Sequence, residues 1–167
     1  MMRRLRKFLA LSSADRWLAA EAAVWLTLAR LVLAVLPFRW IAAGLGPLAP
    51  ASPSSEPEDG AVAPADPVRE WHVQRIGRAV ERAARHLPWT ALCLPQALAA
   101  KAMLGCRDIP ATVHFGMAMS AAPTDGRRIM AHAWVTVGKT GVVGIPAEGR
   151  FAVIARFTHE TGDQDVG

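Results

Sequence analysis

Three features of the sequence predict an α+β fold. A long run of apolar residues recurs at helical spacing, a second helical stretch opens at Cys93-Leu94-Pro95, and the C-terminal half alternates apolar with polar residues. Helices that precede a block of strands pack on one side of an antiparallel sheet, whereas a parallel sheet would need the two to alternate. With 167 residues there is room for one ordinary domain and a modest appendage. Hydrophobic residues make up 52% and charged residues 20%, a balance that supports a buried core and argues against wholesale disorder.

The first helix spans residues 14–36. Leu18, Ala22, Trp25, Leu28, Val32 and Leu36 recur at spacings of three and four; Ser12 or Ser13 caps the start and Pro37 ends it. Its apolar stripe is wide enough to need a partner surface: the rest of the domain, another protein or a bilayer. Residues 1–46 thus form an N-terminal helical segment. Six of the twelve prolines then fall between 47 and 67, among Ser, Ala, Gly and acids, and this composition reads as an extended linker.

A core domain follows over residues 68–158. Ile76, Val80, Ala83 and Leu87 stripe a helix over 68–87 whose other face carries arginines, and Pro88 stops it. The next helix runs over 93–104, with Pro95 in its first turn and Gly105 at its end. Val113, Phe115, Met117 and Met119 then alternate with Thr112, His114, Gly116 and Ala118, the period of a half-buried strand. Asp125-Gly126 marks a turn before a second strand over 129–137. The stretch from Gly138 to Gly141 turns the chain again, and 142–145 and 151–157 supply further strands. Residues 159–167 are a polar tail.

Lys and Arg outnumber Asp and Glu by 19 to 14, a formal net charge of +5. The excess gathers at Arg3, Arg4, Arg6 and Lys7 and again at Arg69, Arg75, Arg78, Arg82 and Arg85. Without a zinc finger, an aromatic-rich RNA motif or a Gly-rich phosphate loop beside it, this charge does not indicate a nucleic-acid partner. The apolar core of the first residues, Phe8 to Leu11, is too short for a secretory signal. Glu21, Arg30 and Arg39 break up the longer apolar stretch from Trp17 to Trp40, which reads as a packed or membrane-surface helix. The two cysteines, Cys93 and Cys106, form neither a disulfide framework nor a zinc motif, and read as reduced thiols of a cytoplasmic, or membrane-peripheral, protein.

Cys93 is the reactive candidate because it stands at the mouth of a helix. Unpaired N–H groups and the positive end of the helix dipole favour a thiolate there, and the same N–H groups can hold an oxyanion. A buried structural cysteine is the competing reading for that position. Cys106, beyond the helix end, reads as structural. His132 lies mid-strand, sharing a face with Met130, Trp134 and Thr136, and can serve as the base that takes a thiol proton. His114 on the neighbouring strand is the rival base. His72, His86 and His159 read as surface residues.

Cys93-Leu94-Pro95-Gln96-Ala97-Leu98 at a helix start, followed on a later strand by Ala131-His132-Ala133-Trp134-Val135, resembles the transglutaminase-like cysteine peptidases of lasso-peptide biosynthesis. The basic start and the apolar helix ending in Pro37-Phe38 extend the likeness over about residues 1–157. The resemblance implies a transglutaminase- or papain-like core and a peptidase that removes the leader from a ribosomally made precursor, with Cys93 as nucleophile and His132 as general base. The family's third member is an acid after the histidine. Thr136 to Ala147 contains no carboxylate and the chain has no asparagine; of the later acids, Glu160, Asp163 and Asp165 belong to the polar tail. Glu148 is therefore the candidate, with Thr136 or a backbone carbonyl as substitutes. The resemblance implies no metal or nucleotide cofactor. The partners it implies are the precursor peptide (leader plus core), a separate leader-recognition protein and an asparagine-synthetase-like cyclase. Two other classes fit the same residues: a transglutaminase or acyltransferase, and a non-catalytic peptide-binding scaffold.

Overall fold

The computed structural model describes residues 12–50, 66–121, 127–147 and 151–158. Among these, four helices and five strands form an α+β domain. The helices are α1 (Ser13–Val35), α2 (Phe38–Gly44), α3 (Pro67–His86) and α4 (Cys93–Gly105). The strands are β1 (Leu48–Pro50), β2 (Thr112–Ala121), β3 (Arg127–Val137), β4 (Thr140–Val143) and β5 (Ala152–Thr158). They make one antiparallel sheet in the order β1-β5-β2-β3-β4.

Local chemistry sets the helix ends. The Ser12 hydroxyl accepts from the Asp15 N–H at 3.1 Å at the start of α1, and Asp66 caps α3 by accepting from the Val68 N–H at 2.9 Å. Helix α1 buries Ala19, Ala22, Leu26 and Ala29 against α3 and α4. Three of these four are alanines, so the helix backbones approach closely. Two ion pairs fasten the same helix: Asp15 to Arg75 of α3 at 2.6 Å, and Glu21 to Arg107 just past α4 at 2.7 Å. The N-terminal helix is thus packed into the domain, one of the partner surfaces its stripe allowed.

The core lies between the helices and one face of the sheet. Leu26, Val73, Ile76, Val80, Ala97, Ala100, Met103 and Leu104 meet Val113, Ala133, Val135 and Val143 there. Helix α3 crosses β4 so closely that a Cβ on Gly77 would stand 2.0 Å from the Val142 carbonyl oxygen. Met119 and Ile129, paired near the far end of the β2–β3 hairpin, are exposed because the hairpin outruns the helices.

Two boundaries depart from the sequence reading. The 47–67 stretch is not linker from end to end: Leu48–Pro50 adds an edge strand to β5, and Pro67 already belongs to α3. Proline tolerates an edge strand, where its missing N–H need not pair, so a Pro-rich composition hides such a strand. The strand expected over 142–145 is instead Thr140–Val143; Gly144, at φ +70°, turns the chain out of the sheet. The short helix α2 has no counterpart in the sequence reading.

Candidate active site

Cys93 is the first residue of α4, preceded by Leu92 in extended conformation. Among the described residues no side chain caps this helix. Pro95 has no N–H, the Gln96 N–H reaches back to the Leu92 carbonyl at 3.3 Å, and the Cys93 and Leu94 N–H groups donate to no described residue. Gln96 also folds its side-chain amide back onto the Ala91 carbonyl at 2.7 Å, bracing the loop that delivers Cys93. The cysteine is half-buried, with its inner side against the core. This arrangement leaves two backbone donors beside a thiol, which is what an oxyanion would need.

His132 is held at three points. Its Nε2 lies 2.6 Å from the carbonyl oxygen of Gly144. Its ring stacks toward Trp134, with centroids 6.0 Å apart, and meets Phe151 at 5.0 Å. Because a carbonyl can only accept, Nε2 carries the hydrogen, and the lone pair of the neutral ring is at Nδ1. Gly116, paired with His132 across β2 and β3, makes room for this cluster: a Cβ there would come within 2.9 Å of two Trp134 ring atoms. The sequence alone leaves the orienting group open between an acid such as Glu148, Thr136 and a backbone carbonyl. Here the carbonyl of Gly144 holds the ring. Thr136 instead serves His114, whose Nε2 is 2.8 Å from the hydroxyl.

The relation between Cys93 and His132 is less direct. Gly144, Ala91 and Gln96 line one hollow, together with Trp89 and Leu87, so the residue that holds His132 sits beside the residues that bracket Cys93. No hydrogen bond joins the thiol to the imidazole. The strand register explains why. His132 pairs with Gly116 and Trp134 with His114, on the sheet face opposite Val113, Ala133 and Val135, and it is the latter face that packs on the helices and on Cys93. The two residues share a corner of the molecule, with the edge of β3 between them. Pairing with β4 stops at Val135, short of His132.

The rival residues separate clearly. His114 stacks on Trp134 at 5.3 Å, nearly parallel to it. Burial, with the Arg156 guanidinium adding to it, depresses its pKa to about 4, so it is neutral and a weak base near neutrality. Cys106 is exposed at the C-terminal cap of α4. His72 and His86 are exposed, as read from sequence. Glu148 and His159 lie outside the described residues. Among the described residues no cluster of His, Cys, Asp or Glu could hold a metal ion.

A family model of the transglutaminase-like superfamily matches residues 32–156, from the end of α1 into β5. The chain belongs to the transglutaminase-like superfamily. No curated protein and no solved structure matches it. The match takes in both Cys93 and His132, the α+β core and the stretch between α2 and α3. Membership of this superfamily is consistent with cysteine-dependent acyl chemistry, whether the acyl group passes to water or to an amine.

Proposed function

We propose that this protein is a cysteine peptidase that cuts the leader from a ribosomally made lasso-peptide precursor. The observation that carries the reading is Cys93 at the mouth of α4, with Cys93 and Leu94 N–H groups that no described residue engages. The Cys93 thiol gives its proton to Nδ1 of His132, and the sulfur attacks the carbonyl carbon of the last leader residue. The oxyanion is held by the backbone N–H groups of the helix mouth. The imidazolium then protonates the departing amine as the C–N bond breaks, leaving a thioester. Water attacks the thioester, giving one proton to His132, and the leader acid leaves as the thiol reforms. Proton transfer requires His132 to lean round the β3 edge toward Cys93, and seating of the peptide is the event that draws the two together.

On this reading the precursor reaches the enzyme through a separate leader-recognition protein, and the released core passes to an asparagine-synthetase-like cyclase. Incubating precursor and recognition protein with the enzyme, then weighing the products, tests the proposal. Free leader and core, formed by the natural protein and not by Cys93→Ala, are expected. Core joined to an amine would replace the peptidase by an acyltransferase.

A second reading is favoured by the missing hydrogen bond between Cys93 and His132: a peptide-binding scaffold that does no chemistry. It predicts that Cys93→Ala binds precursor and supports maturation as well as the natural chain does.

A further inference from the structure

Helix α1 is apolar on two opposite sides. One side buries Ala19, Ala22, Leu26 and Ala29 in the domain. The other exposes Trp17, Val24, Leu28, Leu31 and Val35, at intervals of seven, four, three and four residues, which aligns them along one stripe. Beyond Pro37, α2 adds two more exposed aromatic residues, Phe38 and Trp40. The stripe therefore runs the length of α1, from Trp17 to Val35, and the exposed Phe38 and Trp40 follow it in α2.

Basic residues outnumber acids along α1 and α2, and one further carboxylate, Asp108, lines the hollow beside Leu36 and Trp40. Between residues 12 and 50 the only acids are Asp15 and Glu21, and both are spent on intramolecular pairs with Arg75 and Arg107. The Arg75 guanidinium, bonded to Asp15, keeps that carboxyl below its usual range, and Arg107 does the same for Glu21. Arg16 and Arg39 belong to the same two helices, Arg30 lies over the Trp89 ring at 6.0 Å, and the sequence before α1 carries Arg3, Arg4, Arg6 and Lys7.

We infer that this face seats the protein on an anionic membrane surface. A bilayer answers each observation: acyl chains take the apolar stripe, the interface takes the exposed tryptophans, and acidic headgroups meet the basic residues of α1 and α2. Helix α1 is long and apolar enough to cross a membrane by length and composition. Its buried alanine face, however, is tied to α3 and α4, so in the folded domain the helix lies in the interface rather than across it.

Co-sedimentation of the full chain with vesicles tests the inference. Vesicles of phosphatidylcholine with phosphatidylglycerol should carry down most of the protein at low salt, pure phosphatidylcholine much less, and added salt should weaken the anionic case. The Leu28→Glu/Leu31→Glu double variant changes only exposed side chains, and should bind about tenfold less while melting as the natural protein does. Trp17→Ser/Trp40→Ser gives a second, uncharged variant with the same expected direction. Protein that stays in solution with both vesicle types overturns the inference, and so does unchanged binding by both double variants. A concentration-dependent dimer that these substitutions dissociate, with no vesicle binding, would assign the face to a second copy of the chain instead.

Discussion

The Nε2 of His132 donates to the carbonyl oxygen of Gly144 across 2.6 Å, and this bond fixes which ring nitrogen is free to act as a base. It works because Gly144 adopts φ +70°, a conformation that turns the chain out of β4 and aims the carbonyl at the ring. Gly144→Ala should be doubly costly. The backbone is strained there for any side chain, and the new Cβ would stand 3.0 Å from the Ala133 carbonyl oxygen. A loss of about 1–3 kcal/mol in chemical denaturation is expected, with a fall in peptide release larger than that in stability. Glu148→Gln should leave the release rate within about threefold, since Nε2 has one hydrogen and gives it to Gly144. A severe loss on Glu148→Gln would restore the acid as the orienting group.

The two cysteines should behave oppositely. Cys93→Ala is expected to lower leader release by about three orders of magnitude or more, since nothing else in the mechanism attacks the carbonyl. Cys106→Ala changes an exposed cap residue and should leave both release and melting within error. Quantifying released leader by mass spectrometry for the two variants in parallel checks this. Equal effects would mean that Cys93 is a packing residue.

How much of this site could be read from sequence depends on the range of the interaction. Cys93 at a helix mouth follows from Pro95, Gly105 and the apolar run between them, all local signals. The shared face of His132, Trp134 and Thr136 follows from the period of a strand. The partner of each histidine does not, because it depends on register: Thr136 lies opposite Thr112 and reaches His114, and the Gly144 carbonyl comes from a chain that leaves the sheet sooner than its residues suggest. Register also puts His132 on the face away from the helices, a fact no periodicity reveals. The edge strand Leu48–Pro50 escaped for a different reason. Its pairing is with β5, more than one hundred residues later, and all three ladder positions flank or contain proline.

The N-terminal helix should prove to be a structural part of the domain. Leu26 is wholly buried and packs in the same cluster as Val73, Ile76 and Met103. Leu26→Ala should cost about 2–5 kcal/mol, visible as a lowered midpoint in urea with a single transition. A variant that melted as the natural protein does would make α1 an appendage that merely rests on the core.

Acid should weaken the fold through His114. Its folded pKa, about 4, lies below the ordinary value of 6.5, because burial among Trp134, Thr136 and the neighbouring strands opposes the charged ring and Arg156 adds repulsion. Between these two values the unfolded chain binds more protons than the folded one, so stability rises with pH across that window. The contribution is fully present above about pH 6.5 and is lost as pH falls toward 4. His114→Gln removes the titration while retaining a group able to bond Thr136. Unfolding free energies of the two proteins, measured in urea from pH 7 to pH 4, should therefore converge as the acid deepens, with the natural chain losing more, by an amount on the order of 1–2 kcal/mol once partial exposure is allowed for. Parallel curves would mean that His114 keeps an ordinary pKa in the folded protein, and that its stack on Trp134 is open to water.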